Sequence, residues 1–148
     1  YRVSTPFCGY FSGVPEEVVS LSEEVSVKAG NKRITLALIA KKEKPLGEAQ
    51  EYILTAMGET GMDETEYHTG QKLPGMPFEF TAVEFKGKLF AETLEGCICV
   101  KAKEAELEIL NPIGETIAYV EGKEENGEVR FTLDGSVPGI QYHLTVKR

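Results

Sequence analysis

Short apolar runs separated by turn residues organise this chain. Residues 34–40 (ITLALIA) are apolar on both alternating faces, and seven residues suit a central, doubly covered strand better than an independent helix. Residues 52–57 (YILTAM) place Ile53, Thr55 and Met57 on one face and Tyr52, Leu54 and Ala56 on the other. In residues 140–146, Ile140, Tyr142, Leu144 and Val146 point inward; Gln141, His143 and Thr145 point outward, so His143 is expected on a solvated face. Leu107 and Ile109 alternate with Glu106 and Glu108 as a half-exposed strand should. Residues 78–85 (FEFTAVEF) put Phe78, Phe80 and Ala82 on one face and Val83 and Phe85 on the other, which predicts a bulge or a shift of register near Thr81.

Turn chemistry punctuates these runs at Gly30-Asn31, Lys86-Gly87, Asn111-Pro112-Ile113-Gly114 and Asp134-Gly135. Asn126-Gly127 between two apolar runs predicts a type I′ hairpin. Further strands are expected at residues 18–21, 25–27, 89–94, 97–102, 116–121 and 128–133, and residues 1–13 read as an extended edge segment. Residues 41–50 form a polar connection, with a helical turn predicted at 48–52. About ten short strands and no amphipathic helix predict an all-β fold, a single antiparallel β-sandwich or jelly-roll domain spanning residues 1–148.

Composition narrows the function. No apolar run approaches the roughly 20 residues of a membrane-spanning helix, and the N-terminus lacks the basic-then-apolar pattern of a signal peptide. A chain opening on Tyr1 without Met reads as a piece of a larger protein. The formal net charge of −8 argues against nonspecific binding to nucleic acid or to an anionic membrane. Cys97 and Cys99 stand two apart on one strand, where no ordinary bridge forms between them, while Cys8 is left free to reach either. Without a CxxC or a Cys/His cluster, a structural zinc site is not expected, and three buried thiols are.

The chemistry-bearing stretch is residues 51–70 (EYILTAMGETGMDETEYHTG), read as a buried strand that breaks at Gly58 and Gly61 into an acidic, aromatic loop. Sugar recognition needs an apolar ring face beside groups that bond hydroxyls. Asp63, Glu66, Tyr67 and His68 supply that mixture, and Tyr10 with Phe11 adds aromatic surface from the leading strand. The bland reading is a Tyr packed locally in a solvated acidic loop. Hydrolysis would need two carboxylates across a cleft, one with a raised pKa, and no Asp or Glu sits in such a pattern. There is no GxSxG elbow, and Cys8 could meet His68 or His143 only by accident of the fold. Asp63, Glu64 and Glu66 offer hard oxygen ligands without the spacing of a calcium loop, which leaves a structural calcium open; no metal ligand set is assigned and no cofactor is expected.

The order LALIA, KPLGEAQ, YILTAMG and TGM across residues 36–62 resembles a segment of the β-sandwich accessory domain that follows the catalytic barrel in some bacterial glycoside hydrolases. TPFCGYFSG at residues 5–13, FAETLEG at 90–96, LEILNPIGET at 107–116 and the ENGEVRFTLDG hairpin are similar to that family's pattern in the same order. GETGMDETEY departs from it by lacking the family's Arg and Asn, and DETE belongs to this chain alone. The resemblance implies a non-catalytic domain that assists carbohydrate engagement, in the manner of a carbohydrate-binding module. Its partners would be an oligosaccharide or polysaccharide and the catalytic domain of the same chain. Extracellular or cell-surface placement is favoured over cytoplasmic. The alternative is a structural sandwich that braces its own catalytic domain.

Overall fold

The structure, a computed structural model, describes residues 1–75 and 77–147; the side chains of Asp63, Thr65, Phe80 and Phe85 lie outside the described set. The fold is all-β and antiparallel, and the chain divides into two compact units, Tyr1–Glu59 with Glu92–Arg148, and Thr60–Ala91.

The larger unit is a sandwich. Its first half contributes β1 (Arg2–Ser4), β2 (Cys8–Gly13), β3 (Val19–Ser20), β4 (Val25–Ala29), β5 (Ile34–Ala40) and β6 (Glu51–Met57). The smaller unit holds β7 (Thr60–Gln71) and β8 (Phe80–Ala91). The sandwich then resumes with β9 (Glu95–Val100), β10 (Glu104–Leu110), β11 (Thr116–Val120), β12 (Gly122–Glu125), β13 (Glu128–Asp134) and β14 (Gln141–Lys147). One sheet has seven strands in the order β1-β2-β5-β6-β14-β10-β11; the other has five, β12-β13-β9-β4-β3.

Period-2 alternation builds the core as predicted. Leu36, Leu38, Tyr52, Leu54, Leu107, Tyr142 and Leu144 from the larger sheet meet Val25, Val27, Ile98, Val100 and Phe131 from the smaller. Two buried tyrosines need partners for their hydroxyls. Tyr52 Oη lies 2.7 Å from the Leu46 carbonyl and 2.8 Å from that of Ala49, and Tyr142 donates to the Gly139 carbonyl at 3.0 Å.

Several expectations resolve differently. The Asn126-Gly127 turn has positive φ at both residues (56° and 79°), as a type I′ turn requires, but the strand entering it is β12, not a continuation of β11. The chain changes sheets between Val120 and Gly122, so β11 ends the large sheet and β12 edges the small one. No helical turn spans 48–52: Glu51 and Tyr52 are strand, the Glu48 and Ala49 N–H groups donate to the Pro45 carbonyl, and Lys41–Glu43 make a tight turn with positive φ at Lys42 (64°) and Glu43 (52°). All three thiols are free. Cys8 lies on the outer face of the large sheet, and Cys97 and Cys99 lie on the outer face of the small one, so the core separates Cys8 from both. Only Cys99 is fully buried.

The smaller unit is a β7–β8 ribbon. Lys86-Gly87, expected as a turn, lies inside β8: Gly87 at φ 76° marks a bulge where β8 carries one residue more than β7. A second irregularity lies level with Thr81, as predicted, with the extra residue on β7 beside Gly70 at φ 71°.

Candidate functional site

Residues 63–68, expected to be a loop, are strand. Their pattern of Glu64, Glu66 and His68 alternating with Thr65 and Tyr67 has the strand period without an apolar face, because both faces of this ribbon meet solvent. The pleat therefore splits the predicted site. Tyr67 stands opposite Val83 on one face, 69% exposed. Glu66 and His68 project from the other, where the His68 Nε2 lies 3.6 Å from Glu66 Oε2 and 3.5 Å from Glu84 Oε2. Lys86 Nζ reaches the same two oxygens at 3.0 and 3.6 Å. The Asp63 side chain lies outside the described residues.

Tyr10 and Phe11 belong to the sandwich, and here too the pleat divides neighbours. Tyr10 faces outward, edge-on to the Tyr1 ring with centroids 5.9 Å apart. Phe11 is 5% exposed and packs in the core, which takes it out of the solvent-facing set.

Register on the large sheet assembles a set that the linear sequence hides. Cys8, Ile39, Ile53, His143, Glu108 and Tyr119 are successive cross-strand partners, forming one row on the outer face from β2 to β11. His143, expected to be solvated, is held in place and its side chain is only 18% exposed. Its Nδ1 lies 2.6 Å from Glu108 Oε2; a carboxylate only accepts, so Nδ1 carries the proton and donates. Its Nε2 lies 3.5 Å from both Glu51 Oε2 and Lys41 Nζ.

The two carboxylates beside His143 keep their charge. Lys42, whose Nζ donates to Glu51 at 2.7 Å, and then Lys41 pull the Glu51 pKa down from 4.5 to about 2. Glu108 is also held below the usual carboxylate range, first by the hydrogen bond from His143 and further by Tyr119 and Thr116, with burial opposing. Glu108 thus accepts from His143 and from the Thr116 hydroxyl at 3.4 Å, and its cross-strand neighbour Tyr119 is 77% exposed. An exposed aromatic residue thus stands beside acceptors and donors whose orientations are fixed. Gln141 and Thr145 flank His143 on β14, half-buried on the same face.

Concave space lies at two other places in the sandwich. A cavity of about 280 Å³ opens along β11, touching Tyr119, Ala118, Leu133, Asp134 and Ser136. A cleft of about 470 Å³ is walled by Thr5, Ser22, Glu23, Glu24, Pro45 and Leu46. Tyr119 borders both the outer row and the first cavity.

Sequence reasoning reached Gln141, His143 and Thr145 as outward residues and Glu106 and Glu108 as exposed ones. It did not pair His143 with Glu108, because 35 residues separate them and only the β10–β14 register brings them together. Comparison with protein-family models, curated proteins and solved structures finds no match to this chain.

Proposed function

We propose that this chain is a non-catalytic accessory domain that engages carbohydrate through the outer face of its seven-stranded sheet. The observation that carries this reading is the row His143–Glu108–Tyr119: an exposed tyrosine beside a carboxylate that holds the imidazole in one orientation. A pyranose offers an apolar C–H face to such a ring and a rim of hydroxyls to the groups beside it. Donors and acceptors already held in one orientation lose little freedom on binding, which favours affinity on a shallow surface. Both carboxylates stay ionised, so they suit accepting sugar hydroxyls, whereas a glycosidase acid needs a raised pKa. Membership of a glycoside hydrolase rests on the ordered sequence resemblance.

Calorimetric titration of the chain with a panel of neutral plant and microbial oligosaccharides tests this reading. Binding is expected with at least one, and Tyr119→Ala or His143→Ala should abolish it. If Tyr67→Ala abolishes it instead, the contact surface is the ribbon. No heat with any sugar refutes carbohydrate engagement.

The second reading, a domain that braces its catalytic partner, draws on the ribbon. Tyr67, Leu73, Phe78 and Leu89 are each at least half exposed there, and none of the described core residues belongs to it. That version predicts self-association of the isolated chain together with silent titrations.

A further inference from the structure

We infer that Glu66, His68 and Glu84 form a binding site for a divalent transition metal of the zinc class, which clips β7 to β8. The site lies wholly within the ribbon and is independent of the carbohydrate reading.

The three ligand atoms lie within 4.8 Å of one another. The finer distances are more telling. In a tetrahedral site with bonds of about 2.0–2.2 Å, neighbouring ligand atoms stand about 3.4 Å apart. His68 Nε2 stands 3.6 Å from Glu66 Oε2 and 3.5 Å from Glu84 Oε2, so two edges of that tetrahedron are already set. One imidazole nitrogen with two carboxylates favours a borderline metal such as zinc over calcium, which takes six to eight oxygens. Three protein ligands leave a fourth position for water.

The same two oxygens already share a cation. Lys86 Nζ bridges Glu66 Oε2 and Glu84 Oε2, and these glutamates are direct cross-strand partners whose like charges would otherwise repel. Lys86 is thus a tethered competitor for the metal position. A divalent ion adds the His68 ligand and a second unit of charge, which the ammonium cannot supply.

The ribbon also has a use for such a clip. A two-stranded hairpin is at best marginally stable in water, and no described residue from Thr60 to Ala91 is buried. A metal joining residues of both strands would order it as a cross-link does.

Titration of the full chain with Co2+, read by visible d–d absorption and by chase with Zn2+, tests the site. One equivalent should bind without a thiolate charge-transfer band. Deuterium exchange of amides in β7 and β8 should slow when Zn2+ is added. His68→Ala should weaken binding at least about tenfold, and Lys86→Met should strengthen it several-fold. The opposite signs separate a designed site from loss of structure. Absence of a saturable d–d band overturns the proposal. So does a thiolate band, an unchanged affinity in His68→Ala, or an affinity in Lys86→Met no higher than in the parent chain.

Discussion

Replacing Tyr52 by Phe removes one oxygen atom from the middle of the sandwich and leaves the ring volume intact. That oxygen lies 2.7 Å from the Leu46 carbonyl and 2.8 Å from the Ala49 carbonyl, with the Glu24 carboxylate at 3.4 Å. The ring itself is fully buried. A typical hydrogen bond contributes about 0.5–1.5 kcal/mol net, while a buried carbonyl left without a partner costs about 1–3 kcal/mol. With one proton serving the two carbonyls, the combined loss should be about 2 kcal/mol. For a small domain with a urea dependence of about 1–3 kcal/mol per molar, the unfolding midpoint should then fall by about 1 M. Tyr142→Phe is the internal comparison, since its hydroxyl meets the Gly139 carbonyl at the longer distance of 3.0 Å, and it should lose about half as much. Urea denaturation followed by tyrosine fluorescence reads both. If Tyr52→Phe moves the midpoint by less than about 0.3 M, water or backbone rearrangement satisfies those carbonyls, and the tyrosine does not anchor residues 45–49 as argued.

Three further outcomes follow from the same geometry. Glu51 titrates near 2 in the fold against 4.5 ordinarily, so its contribution is present above about pH 4.5 and lost as pH falls through 2; the urea midpoint should decline across that window, more shallowly in Glu51→Gln, and parallel curves would refute the linkage. Gly96→Ala should destabilise by about 3 kcal/mol or more, because φ is 143° and an added Cβ would meet the Lys28 backbone carbonyl; a soluble variant with the parent's melting temperature would refute that close approach. Burial first, and then Glu128, raises the Cys99 thiol above its ordinary pKa, so Ellman's reagent should modify Cys8 and Cys97 in the folded chain but Cys99 only after denaturation; prompt reaction of all three would contradict the packing beneath Arg130.

Local chemistry was enough to read the strands of the sandwich, because a strand with one buried face writes its period into the chain. ITLALIA and YILTAM became the adjacent β5 and β6, and the alternation of β14 correctly divided Tyr142 and Leu144 from Gln141 and His143. Asn-Gly set the β12–β13 turn for an equally local reason, since both residues must adopt positive φ. The ribbon was not legible in this way. With solvent on both faces, β7 carries no apolar stripe, so its charges read as loop, and its glycines read as turns when they are bulges within long strands.

Pairing lay further beyond the one-dimensional pattern. Alternation says that His143 points outward and that Glu108 does too, but not that they touch. That depends on which strands become neighbours and in what register, and a slip of one residue would have turned every one of these side chains to the other face. The all-β class, the core strands and the sidedness of their residues follow from local pattern alone, because burial and backbone conformation act within a few residues. Strand register brings together the polar groups that meet, Glu51, His143 and Glu108 on the sandwich and Glu66, His68 and Glu84 on the ribbon, because a hydrogen bond of 2.6 Å is set by which strands become neighbours and not by composition.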